Sequence, residues 1–189
     1  NTSGIGELLD NHSRVESIQE GDAVIVSGNV GDHGAAIISR RAGIGLESDI
    51  VSDCAALNHI VIPLWQEIKS VRLMRDPTRG GVATTLKEIA EAMQNKDIEL
   101  LEEDIPIDAQ VKAASELLGL DPLYLANEGK FLLICGKEDA GRAMDLIRSF
   151  PEGRNARVIG SVIPGQGNVR LRTPLGGTKL LDMLALIEV

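Results

Sequence analysis

The apolar positions of this chain fall into two kinds of run. Ala23-Val24-Ile25-Val26-Ser27 and Lys130-Phe131-Leu132-Leu133-Ile134-Cys135-Gly136 are almost unbroken, the pattern of strands buried on both faces. Val82, Leu86, Ile89, Ala90 and Met93 instead recur at helical spacing and mark the most strongly amphipathic segment. Leu57, Ile60, Val61, Leu64 and Ile68 form a second helical stripe, for which Asp53 is the expected N-cap and Pro63 either a kink or a second start. Asp108 is expected to cap a further helix bearing Val111, Ala114, Leu117 and Leu118 and closed by Gly119. Glu138 and Asp139 open another with Ala140, Ala143, Met144 and Ile147, their charge complementing the helix dipole. A helical segment at 35–38 follows a glycine-rich loop. Residues 98–105 read as an acidic edge or surface strand. Residues 156–163 and 168–172 complete the strands around a Pro164-Gly165-Gln166-Gly167 turn. Such alternation predicts an α/β (α+β) sandwich, a mixed β-sheet covered by helices. Residues 1–20, with a Gly4-Ile5-Gly6 turn and a polar stretch, are a candidate boundary before one main domain over 21–189.

Composition narrows the picture. Hydrophobic residues make up 43% and charged residues 25%, far from the disordered regime. With aromatic content at 2%, the core must be aliphatic, and stacking platforms for nucleic acid are almost absent. The net charge of -9 and pI near 4.8 oppose a phosphate-backbone footprint, so nucleic acid is not an expected partner. Cys54 and Cys135 lie far apart beside apolar residues, which reads as buried free thiols of a reducing compartment and favours the cytoplasm. No run approaches the roughly 18 apolar residues that span a bilayer, so no membrane is expected. The start carries neither a signal peptide nor an initiator methionine and, with the end at Ile187-Glu188-Val189, reads as a piece of a longer protein.

Candidate chemistry sits in three loops. Gly28-Asn29-Val30-Gly31-Asp32-His33-Gly34 lies between strand and helix. It is neither a dinucleotide fingerprint nor a Walker loop, and reads as a tight turn or as a phosphate or interface loop. His33 is a loop-stabilising residue or an acid/base group. Arg75-Asp76-Pro77-Thr78-Arg79-Gly80-Gly81 precedes the amphipathic helix. Thr78 is its expected cap, and Gly80, Gly81 and the two arginines offer donors to a phosphate or carboxylate beyond what a cap requires. Ala126-Asn127-Glu128-Gly129-Lys130 meets the second buried strand, where Glu128 is either a turn residue or a proton acceptor. Three histidines and two cysteines without metal-ligand spacing predict no metal site.

These loops, together with Val51-Ser52-Asp53-Cys54, resemble in order and spacing the HypE-type hydrogenase expression/formation proteins. The Asp76-Pro77-Thr78-Arg79-Gly80-Gly81 element is also similar to the Asp-x-Thr-x-Gly-Gly element of the wider aminoimidazole ribonucleotide synthetase superfamily, which includes selenophosphate synthetase. The resemblance implies a fold like the C-terminal domain of aminoimidazole ribonucleotide synthetase, with residues 1–20 the remnant of an amino-terminal ATP-binding domain and linker. It implies an ATP-dependent carbamoyl dehydratase that converts a carbamoylated C-terminal cysteine into a thiocyanate, the cyanide source for the iron of [NiFe]-hydrogenase. ATP and Mg2+ would be held mainly by the amino-terminal domain, whose carboxylates and lysine are missing here. The implied partners are the carbamoyltransferase HypF, the HypC-HypD scaffold complex and a second copy in a homodimer. On this chain the implied roles are catalytic for Glu128 and His33, and cofactor-binding for Asp76, Thr78, Arg79, Gly80, Gly81 and Asn127. Without the ATP domain and the Pro-Arg-Ile-Cys tail, these 189 residues are expected to be inactive alone. The alternatives are half of a selenophosphate or purine-biosynthesis synthetase, or a non-enzymatic scaffold module.

Overall fold

The computed structural model describes residue 5, residues 14–41 and residues 50–183. The Gly4-Ile5-Gly6 turn (Ile5 apart) and the final residues 184–189 lie outside it. Seven strands, β1 (Ala23–Val26), β2 (Val71–Arg75), β3 (Lys96–Leu101), β4 (Leu132–Cys135), β5 (Arg157–Pro164), β6 (Val169–Arg172) and β7 (Thr178–Leu181), form one sheet in the order β2-β4-β1-β5-β3-β6-β7. The β3–β6 pair is parallel and the other pairs antiparallel, so the sheet is mixed as expected. Among the described residues five α-helices accompany it: α1 (Asp32–Arg41), α2 (Asn58–Glu67), α3 (Gly81–Ala92), α4 (Ala109–Leu118) and α5 (Ala140–Arg148).

The unbroken apolar runs are β1 and β4, adjacent and fully buried. Their side chains alternate between two cores. Val24, Val26, Leu132 and Ile134 face the stripe of α3, Val82, Leu86, Ile89 and Met93. Ala23, Ile25, Leu133 and Cys135 face Ile60 and Leu64 of α2 and Ala143, Met144 and Ile147 of α5. Ile18 is buried in the first core, ahead of the boundary expected at residue 21. Asp108 caps α4 by accepting the Gln110 N–H at 2.8 Å, and Gly119 ends it at φ +67°, as the spacing predicts.

Four expectations need correction. Asp53 does not cap α2, which begins at Asn58 behind Leu57 and carries Pro63 inside it. Thr78 does not cap α3; its hydroxyl donates to Asp76 Oδ2 at 3.1 Å, and Gly80 at φ +73° occupies the cap position. The acidic strand is β3, interior between β5 and β6 rather than at an edge. Ile98 and Leu100 are buried, while Asp97 and Glu99 are neutralised by Arg170 (2.7 Å) and Arg172 (3.7 Å) of β6. Cys135 is buried but Cys54 is exposed. The actual edges, β2 and β7, are short and carry Arg72, Arg75 and Lys179, the charged residues that blunt an edge and weaken its hydrophobic pattern. Among the described residues no helix is long and apolar enough to cross a membrane.

Candidate functional site

The loop after β1, the loop after β2 and the segment before β4 meet on Asn127. Its side chain is 1% exposed. Oδ1 accepts the Gly31 N–H at 2.8 Å, and Nδ2 donates to Pro77 O (3.1 Å) and Leu125 O (3.0 Å). The backbone N–H of Asn127 also donates to Pro77 O, at 3.2 Å, and that of Gly34 to Ala126 O, at 3.0 Å. Two glycines permit this approach. A Cβ on Gly34 would stand 2.8 Å from Leu125 Cβ, and one on Gly81, at φ +64°, would collide with the backbone of Leu123–Leu125. Three loops distant in sequence therefore share one rim.

A fourth segment braces it. Asp53 Oδ1 accepts the Glu128 N–H at 3.1 Å, and its Oδ2 faces Lys130 Nζ at 3.5 Å, with side chains only 2% and 9% exposed. Ser52 Oγ accepts the Cys54 N–H at 3.2 Å and lies 2.8 Å from His33 Nδ1. Burial pushes the Asp32 carboxyl above its ordinary value; Lys130 opposes this, and the charges of Asp53 and Asp108 reinforce it. Beside the exposed Glu128 thus lies a polar layer of half-buried Asp32, His33, Ser52 and Asp53 with buried Lys130.

The expected site residues separate by availability. Glu128, Asp76 and Arg79 are exposed on the rim, with His33 and Thr78 half-buried beside them. Asn127 is buried, and both ends of its amide are engaged by the loops. The Gly81 N–H is likewise committed, to Thr78 O at 3.1 Å. Arg75 turns toward its own domain, onto Glu88 at 3.0 Å and Asp76 at 3.8 Å. Ser52, Asp53 and Lys130 carry no expected site role; the Val51-Ser52-Asp53-Cys54 motif was the signal for the first two and the Ala126-Asn127-Glu128-Gly129-Lys130 motif for the third. For a nucleotide, Arg79 fits a phosphate, and the Asp76 carboxylate is an oxygen donor of the kind Mg2+ takes. Among the described residues no group of three His, Cys, Asp or Glu side chains is arranged to hold a metal, so this half offers contributions rather than a complete metal cage.

The geometry agrees with comparisons to known proteins. The family model for the C-terminal domain of AIR synthase related proteins matches residues 19–172. A protein of Azotobacter vinelandii named carbamoyl dehydratase HypE is 41% identical over 186 residues, 97% of this chain and 54% of its own length. A crystal structure of hydrogenase maturation protein HypE in complex with ATP superposes with a TM-score of 0.87 at 41% identity, covering 93% of this chain and 54% of that one. A HypE-HypF complex structure gives 0.84 at 36% identity, covering 90% and 55%. The chain thus spans about half the length of the curated relatives it matches. It belongs to the AIR synthase related protein C-terminal domain family, and within that family it is similar to HypE.

Proposed function

We propose that this chain is the carboxy-terminal half of a HypE-type hydrogenase maturation enzyme, an ATP-dependent dehydratase that converts a carbamoylated cysteine into a thiocyanate for the cyanide ligand of a [NiFe] centre. The observation that carries the reading is the rim: three loops joined at Asn127 and a fourth held by Asp53 present the exposed carboxylate of Glu128, with that of Asp76 on the loop after β2. The similarity to HypE over nearly the whole chain supports it.

In this reading Glu128 takes a proton from the carbamoyl nitrogen. Its backbone is fixed by Asp53, whose charge is balanced by Lys130, so the carboxylate is placed before substrate arrives. His33, steadied by Ser52, orients the amide from the neighbouring loop. Arg79 and Asp76 on the facing loop receive phosphate oxygens and a hydrated Mg2+, with Thr78 holding Asp76 in place. ATP, when bound, supplies the phosphoryl group that makes the carbamoyl oxygen a leaving group; most of its contacts belong to the amino-terminal domain. These 189 residues alone turn over no substrate. The full-length protein works in the cytoplasm as a homodimer, receives its carbamoyl group from HypF and passes cyanide to a HypC-HypD scaffold. The solved HypE structures with ATP and with HypF support the ATP and HypF parts of this reading.

The test is Glu128→Gln in the full-length parent. Thiocyanate formation on the carbamoylated cysteine is expected to fall by about 10² to 10⁴, the usual weight of a positioned acid/base group, with thermal stability and ATP affinity unchanged. Wild-type turnover in that variant removes Glu128 from the reaction.

A further inference from the structure

Beside the Asn29 loop, a groove of about 610 Å³ is walled by Arg148, Arg154 and Arg157 together with Asn29, Asn155 and Asp108. The concentration of guanidinium groups is unusual for this molecule, whose net charge is -9. Elsewhere arginines meet carboxylates, as Arg72 meets Asp22, Arg142 meets Glu67 and Arg170 meets Asp97. Among the described residues no carboxylate lies within ion-pair distance of Arg148, Arg154 or Arg157. Asp108, the one carboxylate in the wall, has Oδ1 engaged as the cap of α4.

The walls are held by backbone as well as side chains. Arg148 Nε and Nη2 donate to Ala156 O at 3.1 and 2.8 Å, which fixes that guanidinium against the segment carrying Arg154 and Arg157. Arg157 begins β5 and is in register with Val26, so it stands beside the loop that carries Asn29. Across the groove, the Val30 N–H donates to Pro106 O at 2.8 Å and ties that loop to the segment leading into α4. Like charges gathered on an ordered frame repel one another, and an entering anion relieves that repulsion while the frame limits the entropy lost on binding.

We infer that this groove is a binding site for a phosphate-bearing anion, of the di- or triphosphate class. A planar carboxylate saturates one guanidinium fork, whereas phosphoryl oxygens point in several directions and can engage forks arriving from several walls at once. Asn29 and Asn155 add neutral donors that tolerate a high ligand charge. The inference is independent of the dehydration reading, because that reading assigns no role to Arg148, Arg154 or Arg157.

Calorimetry of the 189-residue chain with inorganic pyrophosphate, in phosphate-free buffer, tests it. Wild type is expected to bind with a sub-millimolar Kd, and the exposed-site double variant Arg154→Gln, Arg157→Gln to bind about tenfold or more weakly, with an unchanged circular dichroism spectrum. Arg142→Gln, altered outside the groove at a guanidinium paired with Glu67, is expected to bind as wild type. Arg148 is left intact because it also braces Ala156. Absence of pyrophosphate binding at millimolar concentration, or equal binding by the double variant, overturns the inference. Binding of a poly-glutamate peptide without binding of pyrophosphate also overturns it, and assigns the groove to an acidic protein surface.

Discussion

Two buried polar side chains tie loops together near opposite ends of β5, and they do so with different chemistry. Asn127 stands near its beginning, where Arg157 is in register with Val26. Asp97 stands near its end, in register with Ile163. Asp97 is 0% exposed, and its carboxylate accepts the N–H groups of Gln166 (2.6 Å) and Asn168 (2.8 Å) and the Arg170 guanidinium (2.7 Å). Burial alone would raise its pKa, but those donors outweigh burial and hold the carboxyl below its ordinary value of 3.8. Asn127 does the same tying with a neutral amide. The charged joint is complete in itself and closes a turn. The neutral joint adds no charge to a rim beside which Asp32, Asp53 and Lys130 already act on one another. A buried amide can therefore organise a site without setting its electrostatics, which a buried carboxylate could not do.

The comparison is tested first at Asn127. Asn127→Leu preserves size but leaves the Gly31 N–H and Leu125 O buried without their partners; Pro77 O keeps the backbone donor of residue 127. At about 1–3 kcal/mol for each orphaned group, a loss of about 4 kcal/mol is expected in urea unfolding. That loss should be the same at pH 7 and pH 5, because no titrating group is removed. A strongly pH-dependent loss would mean that the neutral joint is coupled to the charges around it.

Asp97→Asn is expected to cost less, about 2 kcal/mol at pH 7, the scale of a charge-assisted hydrogen bond exchanged for a neutral one. Because the folded carboxyl titrates below its unfolded value, its contribution is fully present above that value and disappears as pH falls through the depressed folded value. The difference between wild type and variant should accordingly shrink below about pH 4. A difference that stays constant to pH 2 would show that the carboxylate charge contributes nothing.

The smallest effect concerns the thiols of the two regions. Cys54, exposed beside the rim, is expected to take up one equivalent of a maleimide in the folded chain. Cys135, on β4 inside the sheet, is pushed up to about 12 by burial and by the charges of Asp22, Asp139 and Glu138, so it presents almost no thiolate. Mass spectrometry should find a single adduct under native conditions and two in denaturant. Two native adducts would mean that β4 opens readily.

Much of this architecture was legible in local pattern. β1 and β4 were readable as doubly buried strands, α3 as an amphipathic helix, and α4 with both its cap and its terminating glycine. Among the described helices, however, α5 rather than α3 separates its apolar and polar faces most sharply. Asp53 was misread because an aspartate ahead of an apolar stripe is ordinarily a cap. Its actual partners, Glu128 and Lys130, lie more than seventy residues away, and no local rule reaches that far. The structural duty of Asn127 was not legible, since an amide that joins three loops looks the same in sequence as one that does not. The edge strands β2 and β7 escaped notice because edge positions tolerate charge and so lose the alternation that marks a strand.

By itself the sequence determined that the two long apolar runs are buried and where α4 begins and ends, because these follow from hydrophobic periodicity and backbone conformational preference. Tertiary structure alone decided the strand order, the meeting of the loops on Asn127, the Asp53–Lys130 brace and the pairing of some arginines but not others. Each of those outcomes depends on contacts between residues remote in sequence, whose energies exist only once the chain has closed around them.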